Sequence, residues 1–408
     1  MTAARAPRTI DYVGAYYDEA EIEAVLETLR GTIRLGRRTA AFEARVAEAW
    51  AKAHGVMVNS GSSALQVAYD LLMTELEPGD EFITPAVTFS TTVAGGVRHG
   101  LVPVVVDIEP DTYQIDVAAI EDALSDRTRA LVVPNLAGNC PDWDVVREIA
   151  DRHGLLVVED SCDTFGARLR GRPTGARSDI SVTSFAMSHI ITAMGTGGMV
   201  MTDRDDWWDL ALLQRRWGRS SEPRFWGTAQ DDRSSFKGDV DGIEYDLLFV
   251  FETLGHNFEP SEVAAAFGLV QVDRVPGFTA ARQAHKDAHD ACFGQWPELF
   301  VTPRQLDGLE TAWLQYPLQI SADAPFTRAD FQAHCKAAGI ATRMVWTGNV
   351  TRQPMWQGVE HRIGPGGLGH ADTVMEQGVL IPCHQTMSAE DLAHVHATVA
   401  DLVAGGRP

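Results

Sequence analysis

The sequence predicts an α/β protein, with a large domain on a mostly parallel seven-stranded sheet and a smaller α/β domain after it. Three observations predict this. Between about residues 55 and 202, seven short runs rich in Val and Ile alternate with stretches of helical period, as expected of strands covered on both faces by crossover helices. From about residue 276 the pattern changes to helix, strand, helix, a Gly-rich stretch and a last helix near 388–404. At 408 residues with 45% hydrophobic content, the chain can also bury the cores of two domains, placed at 1–275 and 276–408.

The first run, "GVMVNS", is a strand that ends in polar residues. The helix after it, "SSALQVAYDLLMTEL", sets Ala64, Leu65, Ala68, Leu71 and Leu72 on one face behind serines that can cap its start. "EFITPAVTF", "LVPVVVDI", "RALVVPNL" and "LLVVEDSC" follow as strands. "ISVTSFA" and "GGMVMT" are two more, joined by a tight polar elbow that carries Ser184 and His189. Residues 217–257 mix charged, Gly and Trp residues with little periodicity; a loop that long in a compact protein is functional or an arm between subunits. A helix at about 260–273 closes the large domain.

A formal net charge of −22 repels nucleic acid and anionic membranes. An anionic ligand therefore needs a local basic cluster, and Arg215, Arg216 and Arg219, or Arg343 with Arg352, can form one. Cys140, Cys162, Cys292, Cys335 and Cys383 are far apart with no CxxC pair, which argues against a disulfide framework and a metal site. No apolar run approaches the roughly 18 residues of a membrane span, and "MTAARAPRTIDYVGAYY" lacks the apolar core of a signal peptide. The expected location is the cytoplasm.

Ligands of such sheets sit at the carboxyl ends of the strands. There, Asn59-Ser60-Gly61-Ser62 opens a helix, either as a seat for a phosphate or simply as a cap. Glu159 and Asp160 end an apolar strand, with Asp163 beyond them, and a buried carboxylate needs a cation. A protonated pyridine nitrogen and a structural arginine both qualify. Phe89 can lie beside a flat ring or belong to the core, and His189 can carry a proton or be structural. Phosphate seat, aromatic plate, acid and elbow nevertheless follow the order of a pyridoxal-phosphate site.

"NSGSSAL", "EPGDEFITPAVTFSTT", "VVEDSCDTFGA", "SFAMSH", "GTGGMV" and "LGHNFEPSEVAAAFGLVQVDRV" span nearly the whole chain. Their order and spacing resemble the DegT/DnrJ/EryC1/StrS sugar aminotransferase family, which has the aspartate aminotransferase fold (fold type I). The resemblance implies that Gly61, Ser62 and Ser184 hold the cofactor phosphate, Phe89 stacks on the ring, Asp160 pairs with the ring nitrogen and Asp163 lies near the ring hydroxyl. It further implies that Asn257 reaches the phosphate of a neighbouring subunit, making a homodimer with a composite active site. Arg219, Arg343 and Arg352 are the substrate-binding candidates.

The departure is His189, which stands where aminotransferases of the family keep the Schiff-base lysine. This replacement, with "NLAGN" and "TRMVWTGNVTRQP", resembles the branch that removes the C3 hydroxyl of nucleotide-linked 4-keto-6-deoxyhexoses. The resemblance implies noncovalent pyridoxal or pyridoxamine phosphate and a His189 that titrates near neutral pH and carries the proton. One type in that branch carries an iron–sulfur cluster; the other regenerates its amine from L-glutamate. Cys162 matches the first cluster cysteine, but the remaining positions fall on Ser220, Glu222 and Gln230, so one thiolate of four is present and the iron-free type is expected. Thr196 and Ile190 depart from the usual glutamate and second histidine, which leaves the carrier open between a nucleotide and a nucleoside of antibiotic biosynthesis. The competing expectations are an aminotransferase using Lys237 and a noncatalytic partner protein of the same fold.

Overall fold

Seven strands follow the apolar runs in order: β1 (His54–Val58), β2 (Glu81–Pro85), β3 (Val102–Val106), β4 (Thr128–Pro134), β5 (Leu156–Asp160), β6 (Ile180–Ser184) and β7 (Gly198–Thr202). The computed structural model describes residues 8–229 and 237–405. The strands lie in the order β1-β7-β6-β5-β4-β2-β3. All run parallel except β7, which is antiparallel to both β1 and β6. The reason is local. The connection from β6 to β7 is an elbow and not a crossover helix, so the chain returns beside the strand it has just left. The elbow turns through Met194, Gly195 and Gly197 at φ values of 58°, 91° and 122°, a region where glycine is the unstrained choice. A Cβ on Gly198 would sit 2.3 Å from the Ser60 carbonyl oxygen, so this glycine lets β7 approach the turn after β1.

The helix after β1, Gly61–Leu72, buries Ala64, Leu65, Ala68, Leu71 and Leu72 against the sheet, as its 3.6-residue period requires. Strands β2 and β3 are buried at every residue, which explains their continuous rather than alternating apolar character. The last helix is Ala389–Val403, started by Ser388 and Asp391 in a capping box. It and the helix Arg328–Ala337 accompany a small sheet of Phe300–Val301, Tyr316–Ile320 and Gly378–Ile381.

Three features differ from the sequence expectation. The helix expected at 260–273 runs from Glu262 to Phe293 with Pro276 inside it, so the 275/276 boundary falls within a helix. The 217–257 stretch contains a hairpin of Lys237–Val240 with Ile243–Asp246. The large sheet has eight strands, because Arg362–Ile363 pairs parallel with β3 at its edge. Glu81 explains that last pairing: fully buried at the start of β2, it receives Arg362 Nε at 2.8 Å and Nη2 at 2.7 Å. Arg127 adds a third charged contact at 3.0 Å. A two-residue strand has no period to read.

Burial pushes the Glu81 carboxyl up, but hydrogen bonds from Arg362 and Ser125 and the Arg362 charge outweigh it and hold the group at about 2. Its folded-state value is depressed, so the stabilisation is complete above pH 4.5 and is lost as the pH falls toward 2. Arg362→Ala is expected to destabilise the protein by about 3 kcal/mol at pH 7, leaving a buried carboxylate short of its main partner. Urea unfolding at pH 7 and pH 3 checks this: the deficit should shrink at the lower pH.

Candidate active site

The carboxyl ends of β1, β5 and β6 open on a cavity of about 400 Å3. Gly61, Ser62, Phe89, Asp160, Asp163, Ser184, His189 and Arg343 all line it. The first turn is capped, Ser60 Oγ accepting from the Ser63 N–H at 3.1 Å, and the helix start with Ser62 and Ser184 also lines the cavity. A Cβ on Gly61 would lie 2.6 Å from Ser184 Cβ and 3.0 Å from Cys162 Sγ. Glycine keeps this cradle open. Phe89, 52% exposed at the start of helix Ser90–Arg98, stands on the cavity wall and not in the core.

Asp160 is 4% exposed. It accepts from Thr92 Oγ1 at 2.7 Å and from the Cys162 N–H at 3.1 Å, both neutral donors, so no arginine supplies its countercharge. Burial raises the carboxyl above its ordinary range, only partly offset by the hydrogen bonds from Cys162 and Thr92. A protonated ring nitrogen would provide the missing cation, and in this respect the residues fit the cofactor. Glu159 points to the opposite face of β5, as strand alternation dictates. There Asn135, Ser161 and Ser181 donate to it at 2.8, 2.7 and 2.9 Å, and it is structural.

His189 Nδ1 is buried without a hydrogen-bond partner and lies 3.8 Å from Asp163 Oδ1. Burial and the nearby Arg282 charge push the imidazole down to about 4. The expected titration near neutral pH is thus corrected: Arg282, itself buried without a carboxylate partner, makes a second positive charge costly. The ring is neutral at pH 7 and able to accept a proton. Burial lifts Asp163 to about 7 against the hydrogen bond from the Ala137 N–H at 3.0 Å, with the Asp160 charge adding to the rise. That bond is the work of "NLAGN", whose Gly138 lies against the 312–314 backbone.

Three candidates lie outside the cavity. Asn257 is exposed and bridges the Arg216 backbone. Arg219 lies over the Trp217 ring and lines a different cavity. Arg352 pairs with both carboxylate oxygens of Asp372. The lysines give no substitute for the missing one. Lys52, Lys237, Lys286 and Lys336 are the chain's lysines and none lines the cavity; Lys237 sits in the exposed hairpin, paired with Glu244 at 2.6 Å. Of the cluster positions, Glu222 is buried and paired with Arg216, Ser220 is buried, and Gln230 lies outside the described residues.

Sequence reasoning missed Tyr12, Leu314, Gln315 and Trp346 as lining residues. Tyr12 arrives because residues 10 and 11 are tied to the C-terminal third of the chain: Ile10 bonds to Gly339 and Ala341, and His384 meets the Asp11 carbonyl at 2.9 Å. Arg343 then lies 4.2 Å above the Tyr12 ring. Trp346 was within reach of the eye in "TRMVWTGN", but Tyr12 and Gln315 carry no sequence signal.

A model of the DegT/DnrJ/EryC1/StrS aminotransferase family matches residues 15–400. The chain is 33% identical over 402 residues to a dTDP-4-dehydro-2,6-dideoxy-D-glucose 3-dehydratase of Saccharopolyspora spinosa, covering 96% of this chain and 86% of that protein. It is 28% identical to a GDP-perosamine synthase of Caulobacter vibrioides, covering 95% and 96%. In fold it is similar to an E. coli GDP-4-keto-6-deoxy-D-mannose-3-dehydratase solved with bound hydrated PLP, with a TM-score of 0.85 at 24% identity, covering 96% and 100% of the two chains.

Proposed function

The chain belongs to the DegT/DnrJ/EryC1/StrS aminotransferase family, and from that membership we propose that it is a pyridoxamine-phosphate-dependent 3-dehydratase of a 4-keto sugar. The observation that carries the reading is a neutral His189, its Nδ1 without a hydrogen bond, on a cavity lined by no lysine. In the overall reaction a 4-keto sugar and L-glutamate give the 3-deoxy keto sugar, 2-oxoglutarate and ammonia. The sugar loses one oxygen, and glutamate supplies the two electrons.

When bound, the cofactor supplies the amine that engages the C4 ketone and an electron-withdrawing ring. The chain's residues do the rest. The helix start at Gly61 and the hydroxyls of Ser62 and Ser184 hold the phosphate, and Asn257 from a second copy completes the seat in a homodimer. Phe89 walls the ring. Asp160 keeps a proton on the ring nitrogen, and Asp163 stands near the ring hydroxyl. His189 takes a proton from carbon and returns it to the departing C3 hydroxyl, which leaves as water. Arg343 is the permanent cation on the cavity wall for an anionic part of the substrate. The carrier is a nucleotide or a nucleoside, and the setting a soluble deoxysugar pathway of the cytoplasm.

The reaction is proposed to need no iron–sulfur cluster: Cys162 reaches the cavity, while Cys140, Cys292, Cys335 and Cys383 are buried away from it. The test is to incubate the protein with pyridoxal phosphate, L-glutamate and nucleotide-linked 4-keto-6-deoxyhexoses, without an electron donor. A sugar lighter by one oxygen, with 2-oxoglutarate and ammonia, is expected; an aminosugar, as the synthase relative would make, overturns the reading. Borohydride reduction of the holoenzyme should leave no cofactor mass on the polypeptide. A pyridoxyl-lysine peptide would show that a lysine does reach the site.

A further inference from the structure

Two arginines of the segment "TRMVWTGNVTRQP" are held in different ways. Arg352 is paired with both carboxylate oxygens of Asp372, so its charge is matched. Arg343 lines the cavity of His189 with no carboxylate in ion-pair reach among the described residues, and its one side-chain hydrogen bond runs from Nη1 to the Thr342 carbonyl at 2.8 Å. Its guanidinium carbon lies instead over the Tyr12 ring, 4.2 Å from the centroid. A carboxylate would fix the guanidinium and neutralise it. An aromatic face holds a cation and leaves its charge in place.

Both members are fixed by their backbones. Ile10, 4% exposed, bridges Ile340 in parallel; its N–H donates to the Gly339 carbonyl and its own carbonyl accepts from the Ala341 N–H, both at 2.9 Å. Parallel segments advance abreast, so Tyr12 comes level with Thr342 and Arg343. Beyond Tyr12, Gln385 Nε2 donates to the Gly14 carbonyl at 3.1 Å. A Cβ on Gly14 would fall 2.2 Å from Thr386 Oγ1, so this glycine lets the chain lie close against residues 384–386. On the other side, Arg343 and Leu380 exchange backbone hydrogen bonds at 3.1 and 2.8 Å. Residues 10–14 thus form a strap that delivers one ring to one guanidinium. The Tyr12 hydroxyl makes no hydrogen bond to the described residues.

We propose that Tyr12 is a positioning residue, whose ring holds the Arg343 guanidinium at the cavity wall with its charge free for the anionic part of the substrate. The part that concerns the substrate rests on the proposed reaction; the hold of Tyr12 on Arg343 does not.

Two variants separate the ring from the hydroxyl: Tyr12→Leu removes the aromatic face but keeps an apolar side chain, and Tyr12→Phe removes only the hydroxyl. The first measurement is phenylglyoxal modification of the intact, cofactor-free chain, followed at Arg343 by peptide mapping. Tyr12→Leu should speed it about two- to fivefold, the weight of an exposed cation–π contact, and Tyr12→Phe should match the parent. The second measurement is steady-state turnover of nucleotide-linked 4-keto-6-deoxyhexoses. Tyr12→Leu should raise KM by a similar factor and leave kcat unchanged, while Tyr12→Phe changes neither. In an Arg343→Ala background, Tyr12→Leu should have no further effect on KM, whereas a merely structural loss would persist there. An unchanged Arg343 modification rate in Tyr12→Leu, or additive effects with Arg343→Ala, would overturn the proposal. Tyr12→Phe is nearly isosteric with the parent, so faster modification in that variant overturns it even if Tyr12→Leu folds poorly. The expected modification pattern without turnover of any keto sugar would instead overturn the proposed reaction and leave the hold of Tyr12 on Arg343 standing.

Discussion

His189→Asn is expected to keep its cofactor and lose about 100- to 10,000-fold of the dehydration rate, the usual contribution of a general acid–base group. Cofactor retention is expected because the proposed anchors are elsewhere, at Gly61, Ser62, Asp160 and Ser184. Asparagine is close in size and cannot take up a proton, so the change isolates proton transfer from packing. His189→Lys has a different expected outcome. Asp163, whose Oδ1 lies 3.8 Å from the His189 ring, can balance the new ammonium, and the longer side chain can bond covalently to the cofactor. Borohydride should then fix cofactor mass at residue 189, with dehydration lost. A His189→Asn enzyme that dehydrates its substrate at the parental rate would remove His189 from the mechanism.

The second large effect is expected at Asp160. Asp160→Asn retains the shape and a carbonyl oxygen for Thr92 or Cys162, but removes the charge that would meet the ring nitrogen. Truncating one side of a buried charge pair costs about 2–5 kcal/mol, or roughly 30- to 5,000-fold in cofactor affinity. The cofactor-free protein should respond in the opposite sense. There the raised folded-state value means that ionised Asp160 costs stability at any pH above 3.8, so the variant should melt higher than the parent without cofactor. Thermal melts with and without pyridoxal phosphate test both halves. A variant that melts no higher alone and is still stabilised fully by the cofactor would show that Asp160 is not its counterion.

The strands β1 to β7 of the large sheet were legible because each is long enough, and buried enough, to write an apolar run: "LVPVVVDI" and "EFITP" could hardly be read otherwise. The site was legible where one segment holds several members in a row, as in Asp160, Cys162 and Asp163, or Ser184 and His189. What escaped comes from pairings between distant segments. Tyr12 reaches the cavity only through Ile10 and Asp11, held by the backbone at Gly339 and by His384. Arg352 carried the chemistry of a phosphate ligand, but Asp372, twenty residues on, had already matched it. The His189 proton affinity was misjudged for a related reason: burial, which the local segment does not show, lowers it most, and the charge of Arg282, on a helix nearly a hundred residues away, adds to the fall.

Arg362–Ile363 has a consequence for how such chains can be recombined. This edge strand closes the large sheet, yet it is encoded far into the second half of the chain. A cut at 275/276 would sever the helix Glu262–Phe293 and leave Glu81 without Arg362. Grafting the C-terminal third of one relative onto the front of another therefore requires the donor to bring an arginine in register with Val104. Hybrids joined without that match should accumulate as insoluble protein whatever substrate specificity they were built to combine.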